Sequence, residues 1–304
     1  MDNFSSNLLD IRYFNADVMA YLRAATHGLE RVVNNKGIIT GSDARFPLAD
    51  IDSMAGEISK GSPIVPEDVL VDSKIVKIKN YELSVKLFPS DLNATNSAGD
   101  IRSMAAQKVV NGIRNRYTQL VLDALANYDD TDHEVGSANT DFTVDSFAEI
   151  NLKTDNLGWG NQGKYILLPA EARYTLEQDE KFVTATMLTN GGAFAQGDAS
   201  IKGTDSEIDL KWIDYRGWKI AFMPKKSKWA VGLPIDADDG ALMGYAFKGS
   251  RIGFVANRGI ETRVFEDKTK EDNPLIFKVN GAAGAGILDI DGVVGVKIKA
   301  NPLA

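Results

Sequence analysis

The fold is decided by the strand pattern Tyr81-Glu-Leu-Ser-Val-Lys-Leu87 and by the long helical segment that follows it, Asp100 to Ala126. Strict alternation in the first segment predicts a strand with the apolar residues Tyr81, Leu83, Val85 and Leu87 on one face. In the second segment, apolar residues recur at helical spacing, which predicts one long amphipathic helix. Strands that stand directly in front of a helix, with few residues to cover them, leave edges and apolar faces exposed. The order of these elements therefore predicts a building block that other chains cover.

The residues before this strand have the sequence pattern of an extended segment. Ile38 to Leu87 is strand-rich, and glycine and proline interrupt it at Gly41, Pro47, Gly56, Gly61, Pro63 and Pro66. The lysine-rich run Lys74 to Lys79, joined to the next strand through Asn80, is expected to be more solvated, because lysines discourage edge-to-edge pairing. Further upstream, a helix is predicted from Asn15 to about Asn34, with an apolar stripe of Val18, Leu22, Ala25, Leu29 and Val32.

The predicted long helix has two different sides. Its apolar stripe consists of Ile101, Met104, Ala105, Val109, Ile113, Leu120 and Ala124. Its cationic side, Arg102, Lys108, Arg114 and Arg116, is typical either of a solvated, salt-bridged face or of a contact face. Gly112 interrupts the helix at a cost of roughly 1 kcal/mol relative to alanine, so we expect another backbone to approach closely there.

The second half of the chain is predicted to mix helices with short strands, which makes the fold class α+β. A helix is expected over Val144 to Leu152, and a strand over Lys164 to Leu168 leads through Pro169 into a helix over Ala170 to Gln178. Later apolar bursts predict strands over Glu207–Ile213, Trp218–Met223, Trp229–Leu233, Ile252–Ala256, Ile260–Phe265, Leu275–Val279 and Val293–Ile298.

The composition limits the classes of function. The 304 residues include 34 basic and 42 acidic side chains, for a net charge of -8, so no overall basic surface is available to coat nucleic acid. Cysteine is absent, which excludes disulfides, thiolate catalysis and cysteine-based metal sites. No stretch reaches about 18 uninterrupted apolar residues. Because the first residues also lack the pattern of a signal peptide, we expect a soluble chain that is not exported.

Three motifs allow both a functional and a structural interpretation. The run Gly281-Ala-Ala-Gly-Ala-Gly286 superficially resembles a dinucleotide loop, but a strand and turn follow where that chemistry requires a helix N-terminus, so we interpret it as a β connection. The acidic stretch Asp129, Asp130, Asp132, His133 and Glu134 lacks the alternating ligands of a calcium loop and is interpreted as a solvated turn. Asp236, Asp238 and Asp239 leave two alternatives open, a solvated turn or a cluster that attracts a cation. No catalytic motif is recognised, and we expect no cofactor, no metal site and no enzymatic activity.

In order and texture, these segments resemble the major capsid proteins of tailed phages, which have the Hong Kong 97-like fold. Residues 15–33 resemble the arm helix of that family, residues 38–87 its extended β-hairpin loop, and residues 100–126 the spine helix of its peripheral domain. The segment Lys164-Tyr-Ile-Leu-Leu-Pro-Ala-Glu-Ala-Arg-Tyr-Thr-Leu176 and the strand pair within Tyr215–Pro224 resemble the axial domain. Leu275–Val279 and Val293–Ile298 resemble the strands that return to the peripheral domain.

The resemblance implies a division into an N-terminal arm (1–35), an extended loop with its strand stem (36–90), a peripheral domain with the spine helix (91–140), an axial domain (141–258) and return strands (259–304). It implies a structural function, in which copies of the chain form the pentamers and hexamers of an icosahedral shell around double-stranded DNA. The implied partners are a scaffolding protein, a portal protein and a decoration protein, with weak contact to the packaged DNA. The implied location is the virion capsid, assembled in the host cytoplasm.

The candidate assembly residues under this resemblance are Arg45, Lys60, Arg102, Gly112, Arg114, Arg116, Asp236, Asp238 and Asp239. The cationic side of the spine helix would then face a neighbouring subunit or packaged DNA, and the three aspartates would meet their symmetry mates around an axis. The family's cross-linking lysine is not matched by Lys60 or another loop lysine. Few residues precede the arm helix, so a separate scaffolding protein or prior cleavage is expected.

Two rival interpretations stay open at this point. One is an encapsulin-type nanocompartment shell protein of the same fold, which would explain the same segments. The other is a β-rich hydrolase or binding module, which would be monomeric and would show a pocket with convergent acids.

Overall fold

The computed structural model describes residues 28–39, 41–49, 71–88, 98–128, 133–184, 212–226, 231–267, 269 and 274–300. The α-helices are α1 (Ala98–Leu125), α2 (Val144–Asn156) and α3 (Ala170–Glu177), and a further helical turn begins at residue 180. The strands are β1 (Asn34–Ile39), β2 (Asp43–Ala49), β3 (Val71–Lys77), β4 (Lys79–Leu87), β5 (Glu134–Gly136), β6 (Lys164–Pro169), β7 (Ile213–Tyr215), β8 (Trp218–Met223), β9 (Leu242–Lys248), β10 (Ile252–Glu266), β11 (Leu275–Ile287) and β12 (Val293–Ile298). This mixture confirms the predicted α+β class.

A four-stranded sheet in the order β1-β10-β11-β4 carries the long helix α1 on one face. The alternation of β4 has the predicted effect. Tyr81, Leu83, Val85 and Leu87 pack against the largest cluster of buried residues, here called the main core, while the residues between them are exposed. Helix α1 has 28 residues and is therefore about 42 Å long. Its buried side includes Val109 and Ile113, as predicted, whereas Met104 is 63% exposed and does not belong to the apolar stripe.

Two glycines allow α1 to lie close to this sheet. A Cβ atom on Gly112 would overlap the Cδ2 atom of Leu83 on β4, and a Cβ atom on Gly281 of β11 would lie 2.6 Å from the hydroxyl of Tyr117 on α1. The close approach predicted at Gly112 is therefore present, but the neighbour is a leucine side chain of the same chain and not another backbone. The glycine-rich run is also not a connection, since all of Gly281 to Gly286 lies within β11.

The two-stranded antiparallel sheet β2–β3 lies against the other face of the four-stranded sheet. Ala44, Phe46 and Val76 are buried from its inner side together with Val255 of β10 and Leu288. Glycine again makes the contact possible, because a Cβ atom on Gly284 would overlap the carbonyl oxygen of Lys77. The lysine-rich strand β3 therefore pairs with β2. The residue that separates β3 from β4 is Ile78 and not Asn80.

A six-stranded mixed sheet in the order β5-β12-β9-β6-β8-β7 forms the second large part of the molecule. The two faces of this sheet pack into two different hydrophobic cores. Leu167 of β6 packs in the main core, while Ile166 and Leu168 pack in a second core with residues of α2 and α3. The aromatic residues Phe147, Phe182 and Tyr215 stack on that second side, with centroid distances of 4.7 to 6.3 Å. The predicted strand Lys164–Leu168, its proline and the following helix are confirmed as β6 and α3.

Several elements differ from the sequence-based predictions. Most of the helix predicted from Asn15 lies outside the described residues, but its described end is a single 3-10 turn at Leu29–Arg31 followed directly by β1. The predicted strands 252–256 and 260–265 are one strand, β10. Strand β9 was missed, and β5 was missed as well. Strand β12 pairs with β9 and β5 in the six-stranded sheet, so it does not return to the sheet of β10 and β11.

Candidate assembly surfaces

The outer face of β2–β3 is the first candidate surface, because among the described residues it is exposed. Arg45 and Ile75 lie opposite each other on this face, and Ile75 is 52% exposed. Lys36 anchors the sheet from β1: its ammonium donates to the carbonyl of Arg45 and lies 4.7 Å from the centroid of the Phe46 ring. The predicted site residue Arg45 is therefore exposed and held in place by its backbone. Lys60 lies outside the described residues.

The half of the four-stranded sheet that β2–β3 leaves uncovered is the second candidate surface. Its charged side chains pair with one another: Lys278 lies 2.5 Å from Glu82, Lys86 lies 3.6 Å from Asp267, and Arg263 lies 3.8 Å from Glu261. Phe265 follows on the same strand as Arg263 and is 48% exposed. Since exposed ion pairs contribute little to stability, this face resembles ordinary solvated surface with one apolar end.

The cationic side of α1 divides into residues with different surroundings. Lys108 is exposed, whereas the guanidinium of Arg116 lies 4.7 Å from the centroid of the Tyr81 ring on β4. Arg114 is half-buried; burial raises the pKa of Glu30, and the charge of Arg114 offsets part of that rise. The side chain of Arg102 lies outside the described residues. Arg114 and Arg116 therefore each interact with groups of the same chain, and both interpretations of the cationic side stay open.

The acidic turn at residues 236–240 contacts Lys297, which was not among the site residues predicted from the sequence. The ammonium of Lys297 lies 2.9 Å from Asp236, 3.2 Å from Glu134 and 3.7 Å from Asp239. The structure thus brings Asp236 and Asp239 together, and it adds Glu134, which receives a hydrogen bond from the Tyr128 hydroxyl. Asp238 is exposed and contributes its backbone N–H to Asp236 at 2.9 Å.

The electrostatics of this cluster follow from its geometry. The N–H of Asp238 and the ammonium of Lys297 lower the pKa of Asp236, and the hydrogen bond from Lys297 to Asp236 raises the pKa of Lys297. Two of the three predicted aspartates therefore share one lysine of the same chain. A single lysine in the apolar strand Val293–Ile298 was the available sequence signal, because a charge in a mostly buried strand requires a partner.

No metal site or membrane span is found in the described part of the chain. Within it, no three acidic or histidine side chains are placed to hold a metal ion. Asp129, Asp130 and Asp132 lie outside it, while His133 is buried with its Nε2 atom 3.4 Å from Asp291. The helices that it contains are too short or too polar to cross a membrane.

The arrangement of helix α1, the two large sheets and the two-stranded sheet has counterparts among solved structures. No protein-family model matches the chain, and no curated protein matches it. Solved structures do match. The capsid of Ralstonia phage GP4 has a TM-score of 0.66 at 14% identity, with 90% of this chain and 88% of that chain covered.

Two further capsid structures agree with this result. The acid-stable capsid of Helicobacter pylori bacteriophage KHP30 has a TM-score of 0.60 at 14% identity and covers 90% of this chain and 89% of that one. The mature capsid of bacteriophage PhiM1 has a TM-score of 0.59 at 13% identity and covers 91% and 88%. The predicted resemblance to the tailed-phage major capsid fold is confirmed at the level of the fold.

Proposed function

We propose that this chain is the major capsid protein of a tailed double-stranded DNA phage and that its role is structural. The observation that supports this function is the likeness to phage capsid proteins over about 90% of both chains. In this proposal the subunits form pentamers and hexamers of an icosahedral shell in the virion, assembled in the host cytoplasm. A scaffolding protein, a portal protein and a decoration protein are the proposed partners.

The exposed face of β2–β3 supports an assembly role for the hairpin. In the described part of the chain, this small sheet packs on one face and presents Arg45 and Ile75 outward on the other. Residues 50–70, including Lys60, connect its strands, and we propose that they contact a neighbouring subunit. An obligate interface of this kind buries about 2,000 Å² or more.

The remaining candidate residues are assigned in the same proposal. The proposal keeps the division that the resemblance implies: the arm (1–35), the extended loop (36–90), the peripheral segments (91–140 and 259–304) and the axial segment (141–258). Strand β12 differs from it, because it is built into the six-stranded sheet. Arg102 and the exposed Lys108 are proposed to contact a neighbour or packaged DNA weakly. Asp238, which faces solvent, is the member of the acidic turn proposed to meet other subunits.

Electron microscopy of the protein expressed alone and together with a scaffolding protein tests the proposal. We expect closed icosahedral particles in at least one of the two preparations. A protein that stays monomeric in both, and that binds a small molecule in a pocket, would contradict the shell function. Particles that select a cellular cargo protein would identify a nanocompartment shell instead.

A loop replacement tests the role of the hairpin more sharply. Ala49 and Val71 are paired across β2 and β3, so residues 50–70 can be replaced by the two-residue turn Asn-Gly, which suits a hairpin of this register. We expect a folded, soluble subunit that no longer assembles. A control replaces exposed Glu149, on α2 and away from the β2–β3 sheet, by glutamine and should assemble normally. Normal particles from the loop variant would remove the hairpin from the assembly mechanism.

A further inference from the structure

The first described residues dock on α1 through one apolar and one acidic side chain. Leu29, in the 3-10 turn Leu29–Arg31, is fully buried in the main core with residues of α1. Glu30 follows it, and its Oε2 atom is buried without a hydrogen-bond partner among the described residues. The amide of Asn35 donates to the carbonyl of Glu30 at 3.1 Å, which ties the turn to β1. The turn therefore brings a carboxyl group against the helix where an apolar side chain would ordinarily lie.

Two phenols share the surroundings of this carboxyl group. The hydroxyls of Tyr117 on α1 and Tyr81 on β4 are also buried, and neither has a hydrogen-bond partner in the described part of the chain. The pKa of Tyr117 is raised to about 12, mainly by burial and in smaller part by the charges of Glu30 and Tyr81. Gly281 provides the space for the Tyr117 hydroxyl on the side of the sheet. Three weakly acidic groups from three elements thus meet at the point where the turn docks.

The charges around Glu30 oppose one another, and burial has the largest effect. Burial raises the pKa of Glu30, while its own backbone N–H, Arg114 and Arg31 lower it in part. Arg116, which lies over the Tyr81 ring, is the other cation at this junction. A Cβ atom on Gly28 would overlap the Glu30 carboxyl, so the side chain is folded back over its own turn and away from water. The neutral carboxyl therefore fits this site better than the ionised one.

We propose that Glu30 is a proton-operated latch: its neutral carboxyl holds the Leu29–Arg31 turn against α1, and its ionisation weakens that hold. The latch sits where residues 1–27 join the described chain, so it controls how firmly this junction is fixed to the long helix. The sign follows from linkage. A carboxyl with a higher pKa in the docked state stabilises docking fully below its undocked value of 4.5, and this stabilisation is lost as the pH rises through the docked value. This inference does not depend on shell formation.

Amide hydrogen exchange of the full-length chain, read by mass spectrometry over residues 29–35 from about pH 4 to about pH 8, tests the latch. After correction for the intrinsic exchange rate, we expect protection to fall with rising pH, by up to about tenfold for each unit by which the docked pKa exceeds the undocked one. Glu30→Gln keeps the shape of the side chain but cannot ionise. It should remain protected throughout the pH range.

The control is Glu149→Gln on α2, where the glutamate is exposed, and it should behave like the unsubstituted chain. A carbon-13 titration of glutamate carboxyl groups, with the Glu30 signal assigned by its loss in Glu30→Gln, gives an independent readout. We expect a midpoint above 4.5. A midpoint at or below that value, or the same pH dependence in Glu30→Gln as in the unsubstituted chain, would overturn the proposal.

Discussion

The six-stranded sheet and the two-stranded sheet β2–β3 differ in how completely the rest of the chain covers them. In the first, strand β9 is buried over nearly its whole length and β6 packs into two cores at once. In the second, Phe46 is buried on the inner face while Ile75 is half exposed on the outer face. Because apolar burial supplies most of the free energy of folding, the first sheet can be stable in an isolated subunit. Within the described residues, the second sheet keeps an exposed face that a partner can use.

The largest expected effect comes from the core of the six-stranded sheet. Leu167→Ala on β6 removes a fully buried side chain and should lower the free energy of unfolding by about 2–5 kcal/mol through the cavity that it leaves. Chemical denaturation of the unassembled subunit measures it. Leu152→Ala on α2, where the leucine is 66% exposed, is the matched control and should change the free energy of unfolding by about 0.5 kcal/mol or less. Equal effects for the two would contradict the assignment of β6 to the core.

A second prediction addresses the close packing of α1 on β4. Gly112→Leu should lower the free energy of unfolding by about 1–3 kcal/mol, because the new side chain collides with Leu83 and the clash outweighs the better helix propensity. The double variant with Leu83→Ala should recover most of this loss, since the colliding atoms are then absent. A single variant that is more stable than the unsubstituted chain would show that β4 moves aside freely.

The Lys297 cluster tests whether one charge holds the acidic turn against the six-stranded sheet. Lys297→Met leaves three carboxylates close together and should lower the free energy of unfolding by about 1–2 kcal/mol near neutral pH. The pKa of Asp236 is lowered in the folded state, so its stabilising contribution is present above 3.8 and is lost as the pH falls through the folded value. The difference in the free energy of unfolding between the unsubstituted chain and Lys297→Met should therefore become smaller in acid. Lys299→Met is the control outside the cluster, and a pH-independent difference would argue against the ion pairs.

The smallest expected effect on global stability distinguishes the two sheets most directly. Phe46→Ala should change the free energy of global unfolding by less than about 1 kcal/mol, because β2–β3 can detach while the larger cores stay folded. Hydrogen exchange within residues 43–49 should become markedly faster, and assembly should fail. Ile75→Ala on the outer face is the control for local protection. If Phe46→Ala destabilised the whole subunit as much as Leu167→Ala does, the two sheets would form one cooperative unit.

Elements with a clear local period were predictable from the sequence. The alternation of β4 and the helical spacing of α1 and α2 each require one covered face, and one covered face leaves a visible pattern. Strand β9 was missed for the opposite reason: Leu242 to Lys248 is buried on both faces, so its sequence has no alternation to detect. The Lys297 cluster was missed because Glu134, Asp236 and Lys297 are far apart in the chain, and nothing local indicates that they meet.

The sequence by itself determined the elements that carry a local period, among them β4 and α1, and the class of fold that their order along the chain resembles. These properties depend on local periodicity and on turn residues, which each segment carries independently. Only the tertiary structure decided that Gly112 faces Leu83, that β12 joins the six-stranded sheet, and that Glu30 lies half-buried near Tyr117. Each of these depends on a contact between residues distant in sequence, and such contacts are selected by the packing of the whole chain rather than by any one segment.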